Sequence, residues 1–489
     1  MITKSRMVAA DALLIILIGL ATSLSMVVAA VQGSQWLLFI IFAFAGLAAA
    51  LVLPQPQRFP FFLFLFFFSI PIGMDFYPIY IETINYRPLS GLRITLYELP
   101  FLYLFLAWAF QQVLSPEKKL KFFPWITIPF LLIWALTLAG LAFTAAPTVF
   151  KISNLWEVFF CWLVLLYLGN NLNQPKAIYL AVAALMSTLV FQSLIGIVQW
   201  VSEGLVGLGR VFGEGSHSFV KAQAGVLAIS RVGGTVGHPN ELAAYIGMIL
   251  PINLALLFAP LDRRYKLLLI LIGLMSFGIL ILTYSRGGWL SVIIGGAVTM
   301  YCCLAQLTRR KITSFILLAG FLAIFLFATL VFVTPIQKRL FEDDYGAARS
   351  RIPMSLLASN MIAHNPWLGV GLGNYTDVSS YYDLTREGIS YTFNLPVHNE
   401  YLLIASELGL PALSIFLFLM VVVLILLIRL GRSRADPVIV YTAYGLFGGF
   451  IAWGIHQLFE YQHVMMSVQV WSLVGLILAM SRTAKGDTS

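Results

Sequence analysis

Three side chains stand out for chemistry in a chain that is 60% hydrophobic and 10% charged. Arg286 lies in the polar stretch Thr283-Tyr284-Ser285-Arg286-Gly287-Gly288, which reads as a tight turn between two apolar spans. A guanidinium is a planar fork that matches phosphate oxygens, and paired glycines let a ligand come close to the backbone. Arg231 opens a second polar stretch that runs through Gly233, Gly234 and Gly237 to His238, Pro239 and Asn240. Asn240 is the expected N-cap there, and a helix N-terminus beside an arginine is an anion site. His398, followed by Asn399 and Glu400, precedes a long apolar run, and a neutral imidazole is the usual general base near pH 7. The chemistry these types suggest is binding of an anion such as phosphate beside a proton acceptor. Each also has a plainer reading: an arginine that orients a helix, ordinary turn glycines, an interfacial histidine.

The elements that must position these residues are membrane spans. Charge this sparse cannot clothe a water-exposed surface, so the 489-residue chain reads as a polytopic membrane protein rather than two or three soluble domains. The formal charge of +9 does not point to nucleic acid, because most of the 30 Lys and Arg residues sit in short loops between spans. Apolar runs predict helices near 9–31, 36–54, 59–73, 95–114, 122–143, 153–170, 176–201, 240–259, 266–283, 287–306, 312–333, 400–428, 438–457 and 464–481. The first is too long for a signal-peptide core and is expected to remain as a span. The third is short for a bilayer of about 30 Å and is expected to be re-entrant or tilted.

Basic residues at Lys4, Arg6, Arg58, Lys118, Lys119, Arg263, Arg264, Arg309, Arg310, Arg432 and Arg434 put both termini inside by the positive-inside rule. The polar stretches 202–240, 283–288 and 335–399 then share the outer face, as do or nearly do all six histidines. Three expected domains follow: N-terminal helices over 1–174, a transmembrane domain over 175–481 that includes the large loop 335–399, and a cytoplasmic tail over 482–489. Within the loop, Pro353 suits a helix start and Asn365-Pro366 a helix stop. Cys161, Cys302 and Cys303 fall inside spans, so no structural disulfide is expected. Gly369-Val370-Gly371-Leu372-Gly373-Asn374 mimics a dinucleotide fingerprint, but it follows no expected strand and lies on the outer side. It reads as a turn that brings backbone near the site. No metal-ligand spacing is present, and no metal or cofactor is expected.

Four motifs occur in order: Gly237-His238-Pro239-Asn240-Glu241-Leu242-Ala243, Thr283 to Trp289, Asn365 to Asn374, and His398-Asn399-Glu400-Tyr401 through Gly409. Together they resemble the O-antigen ligase and O-antigen polymerase superfamily of bacterial envelope enzymes over roughly residues 175–480. The resemblance implies a GT-C-like, all-α polytopic fold of about 12–14 transmembrane helices with a large extracytoplasmic loop. It implies an inner-membrane glycosyltransferase, metal-independent and inverting. The donor would be an undecaprenyl-pyrophosphate-linked glycan and the acceptor a hydroxyl of glycan, lipid or protein, with membrane lipids as neighbours. Arg231, Arg286 and His398 would then be catalytic, the arginines on pyrophosphate and the histidine on the acceptor. Arg351, which matches a loop arginine of the family, would bind substrate together with His238, Asn240, Tyr284, Asn399 and Glu400. Ser355 departs from the family at a position where tryptophan is common, and Pro411 where glycine is. A protein O-glycosyltransferase is one alternative, and a transporter of the bicarbonate-uptake-linked branch is another; the His398-Asn399-Glu400-Tyr401-Leu402 segment argues against the transporter. The orientation has a direct check: single cysteines at positions 217 and 380 react with an impermeant thiol reagent applied outside, and those at 119, 264 and 432 do not. Labelling at 264 would reverse the arrangement.

Overall fold

The computed structural model describes residues 35–82, 85–114, 120–144, 146–202, 219–224, 227–308, 350–386 and 388–486. The helices α1 (Gln35–Val52), α2 (Gln55–Ser69), α3 (Glu98–Leu114), α4 (Pro124–Ala142), α5 (Thr148–Asn171) and α6 (Pro175–Val201) come first. After them come α7 (Pro239–Leu256), α8 (Arg263–Leu282) and α9 (Arg286–Thr308). The large loop holds α10 (Arg351–His364), α11 (Tyr375–Tyr382) and α12 (Ile389–Thr392), and α13 (Glu400–Gly431), α14 (Pro437–His456) and α15 (Val468–Ala484) close the chain. Every expected span that falls on described residues is a helix; the ones near 9–31 and 312–333 lie outside them. Among the described residues, seven helices are long and apolar enough to cross a membrane, and the protein is an all-α polytopic membrane protein. Pro124, Pro175, Pro239 and Pro437 each open a helix, where a missing N–H leaves no bond unmade.

Two short antiparallel hairpins were not expected: β1 (Asp75–Tyr80) with β2 (Gly91–Thr95), and β3 (Phe219–Ala224) with β4 (Leu227–Val232). The first matters to the membrane domain because it carries Arg93, whose Nε bonds Glu157 Oε1 at 2.9 Å within α5. Burial would lower the Arg93 pKa, but Glu157 and Asp75 hold it well above its ordinary value. An acid within a span is therefore paired with a cation delivered from the loop, which offsets part of the cost of its burial.

The centre of the bundle is α14 packed against α7 and α9. Small residues make this approach possible: a Cβ on Gly445 or Gly449 would collide with α7 backbone at Ile252 and Met248, and one on Gly448 with Gly295 of α9. Close backbone approach through small residues is the usual glue between helices in lipid, where no hydrophobic drive acts between them. Consequently the start of α7, the start of α9 and the end of α14 are held side by side at one end of the bundle.

Helix α13 is broken at Gly409, where φ is 84° and ψ 168°. The break frees groups that lipid cannot satisfy, and the turn after Pro366 satisfies them. Pro411 has no N–H for Glu407 O, so Gly371 N bonds it at 2.8 Å. Leu410 N turns to Pro366 O at 2.8 Å, and Val370 N takes the vacated Ser406 O at 2.9 Å. The Asn365–Asn374 motif thus plugs a broken helix, and its Val370 packs in the same cluster as Val397 and Tyr461. Gly409→Ala puts a side chain on a left-handed residue against the Trp367 carbonyl, and a loss of roughly 1–3 kcal/mol is expected, read as a lower Tm. Gly278→Ala, whose Cβ meets nothing within 4 Å, is the control and leaves Tm nearly unchanged.

Candidate active site

The end of the bundle where α7, α9 and α13 begin carries one continuous chain of hydrogen bonds. Arg231, at the end of β4, donates from Nε to Thr283 O at 2.8 Å and from Nη2 to Asn240 Oδ1 at 2.7 Å. Asn240 Nδ2 donates in turn to Glu460 Oε2. The other oxygen, Glu460 Oε1, meets His398 Nδ1 at 2.7 Å and accepts Tyr461 N at 3.3 Å. Sequence-distant groups from the first, second and last of the expected polar stretches are so joined through a residue that none of them contains.

Glu460 is the residue the sequence reading missed. It sits in the short connection between α14 and α15, and its side chain is only 6% exposed. Burial alone would raise its pKa. The hydrogen bond from His398 and the charges of His398, His238 and His456 more than offset this and bring it down to about 2. Glu460 is therefore a carboxylate at any working pH and can only accept. The proton of the shared bond belongs to His398 Nδ1, and a neutral imidazole then carries its lone pair on Nε2. The Tyr461 ring stands against His398 with centroids 5.4 Å apart. The available signal was an acid flanked by His456 and His463, in a connection too short to look like a site.

The remaining expected site residues fall into two groups. His238 caps α7, its Nδ1 accepting Asn240 N at 3.2 Å, so Asn240 is not the cap and its side chain is free to link Arg231 with Glu460. Arg286 is the first residue of α9, and Gly287 and Gly288 belong to that helix instead of the turn. A Cβ on Gly288 would press on Ala243 at 2.6 Å, so this glycine lets α9 approach α7. Tyr284 holds the preceding turn in the left-handed region at φ 51°. Arg351, at the start of α10, is close enough to contribute to the electrostatics of His456.

Asn399 and Glu400 do structural work. Asn399 Oδ1 caps α13 through Leu402 N at 3.0 Å. The buried Glu400 carboxylate accepts Gln462 N and Val464 N, both at 2.7 Å. The Glu400 bonds hold the connection carrying Glu460 against the start of α13.

Residues 267–417 match the family model described as O-antigen ligase. This segment is similar to the O-antigen ligase family. The matched segment contains Arg286, Arg351 and His398, while Arg231, His238, Asn240 and Glu460 lie outside the matched residues and reach it through the bonds above. No curated protein matches the chain. Among solved structures, a chain from work on structural coordination of polymerization and crosslinking by a peptidoglycan synthase complex is similar, with 16% identity and a TM-score of 0.38. The match covers 73% of this chain and 97% of that one.

Beside the candidate site, His463 is buried with its ring 5.5 Å from Tyr461 and 6.5 Å from Tyr86. Burial first, and then the charge of Arg93, push its pKa down to about 4 from 6.5. The unfolded chain takes up this proton as pH falls through 6.5, whereas the folded ring resists until about 4, so stability is lost across that window. The expected loss is roughly 3 kcal/mol, seen as a falling Tm in a pH series, and His463→Phe makes the decline shallower.

Proposed function

We propose that this site transfers a glycan from an undecaprenyl-pyrophosphate carrier to an acceptor hydroxyl at the extracytoplasmic face of a bacterial inner membrane. The O-antigen ligase domain supports a glycan-transferring envelope enzyme. The observation that carries the finer reading is the 2.7 Å bond between His398 and the buried Glu460 carboxylate, at one end of a chain that leads to Arg231.

In this reading His398 Nε2 accepts the proton of the acceptor hydroxyl, and Glu460 fixes the ring and stabilises the imidazolium that forms. The acceptor oxygen forms its bond to the anomeric carbon as the bond from that carbon to the phosphate oxygen breaks. The electron pair leaves on the lipid pyrophosphate. A single displacement of this kind inverts the anomeric carbon. Negative charge grows on the leaving group, and preorganised positive charge stabilises it where it develops. Arg286 at the start of α9, Arg231 with its plane fixed by two protein acceptors, and the N-terminus of α7 supply that charge without a metal ion.

The test uses purified, folded enzyme and a lipid-linked glycan donor. His398→Gln keeps a hydrogen-bonding side chain but no base, and transfer is expected to fall by about 10²–10⁴-fold. Glu460→Gln is expected to cost at least about a hundredfold, because an amide no longer holds the imidazole in one tautomer. Arg286→Lys keeps the charge but not the fork, and a cost of about 2–4 kcal/mol corresponds to two or three orders of magnitude in rate. If the Glu460→Gln enzyme works within a few-fold of the parent, the dyad does not carry proton transfer.

A further inference from the structure

At the opposite end of the bundle from His398 lies a cleft of about 760 Å³ between the start of α4 and the ends of α13 and α15. Among the described residues four cations line it, Lys121, Arg429, Arg482 and Lys485, and no acid does. Its walls are apolar, and the aromatic side chains Trp125 and Phe418 are 73% and 44% exposed. We propose that this cleft binds one anionic phospholipid, with the headgroup phosphate among the four cations and an acyl chain along the Trp125 and Phe418 wall. The proposal does not depend on the proposed function.

Three independent features converge on that chemistry. First, the charges come from three separate elements and meet only in the folded bundle. Arg482 is buried and held by Gly169 O and Asn170 O, both at 3.0 Å from Nη1, so its guanidinium is fixed at the back of the cleft. Arg429 and Lys485 are exposed at the mouth. Second, α4 begins here at Pro124 after Phe123, a left-handed residue at φ 47°, and no side chain caps it. A helix N-terminus adds partial positive charge where the cations already gather. Third, the apolar wall continues from the cations along the membrane-spanning length of α13, from Arg429 through Ile425 and Val422 to Phe418. A soluble phosphate satisfies the first two features and leaves this wall bare, whereas a phospholipid covers it. Basic clefts between spans with apolar flanks are where anionic lipids settle, and an exposed tryptophan belongs at headgroup level.

The competing account is that these cations only orient the chain and attract anionic membranes in general. Arg263 and Arg264 at the start of α8 provide the control, because they do not line the cleft. The full chain, purified in detergent, is titrated with phosphatidylglycerol, phosphatidylcholine or glycerol phosphate, and bound lipid is counted by native mass spectrometry alongside Tm. One phosphatidylglycerol is expected to be retained with a rise in Tm, and neither of the other two reproduces this. Arg429→Gln with Lys485→Gln weakens retention roughly twenty-five-fold, about fivefold per charge. Arg263→Gln with Arg264→Gln leaves it within twofold. Should the first pair of substitutions disturb folding, the charge-preserving pair Arg429→Lys and Lys485→Arg is expected to retain lipid as the parent does. Equal loss in the Arg263 and Arg264 control, full retention without Arg429 and Lys485, or the same Tm rise with glycerol phosphate would each overturn the proposal.

Discussion

An ionised carboxylate buried in a membrane protein is costly unless each of its oxygens has partners, and Glu460 constrains this structure for that reason. One oxygen is taken by Asn240, and the other by His398 and the Tyr461 amide. Moving α7 or the start of α13 away would leave the charge uncompensated, so the two helix ends are locked by electrostatics as well as by packing. A reaction that develops charge benefits from such an arrangement, because the surrounding dipoles are already oriented and need not reorganise.

The loop is held as firmly, by residues far from it in sequence. Arg87 pairs with Asp377 of α11 while its guanidinium lies 4.5 Å over the Phe150 ring. Asn85 reaches the same carboxylate at 3.1 Å, and Asn154 of α5 donates to Leu372 O at 2.8 Å. The N-terminal helices, which sequence motifs leave generic, are the scaffold against which the loop is pinned. Glu407 adds a further tie: it accepts Tyr375 N at 3.3 Å at the start of α11, directly above the break in α13.

The spans were legible because apolar runs of bilayer length admit little else, and Pro at the first helical position marked several starts. The site was legible in part. Arg231 and His398 were visible as polar residues where a membrane chain has few, and the structure does join them. Their connection was not visible, because Glu460 lies some sixty residues from His398 and more than two hundred from Asn240, a pairing only the folded bundle creates. Gly287 and Gly288 read as a loop because glycine is neutral between turn and close packing, and here packing against Ala243 and Phe459 decides. The hairpins were hidden by their length, since alternation over five or six residues is weak beside helical runs.

One further arrangement gives the site its character. Arg231 and Glu460 belong to the same hydrogen-bonded chain, yet Asn240 stands between them. A direct ion pair would spend the guanidinium on the carboxylate and leave little positive field for a phosphate. The amide transmits both bonds while carrying no charge: its oxygen accepts from the arginine and its nitrogen donates to the carboxylate. Arg231 is thereby oriented by an uncharged amide, and the same amide satisfies Glu460 Oε2. Its negative charge is directed through Oε1 to His398, on the other side. Arg231 and the His398–Glu460 pair thus stand on either side of one asparagine, the separation that the proposed transfer from a phosphate leaving group to a hydroxyl calls for.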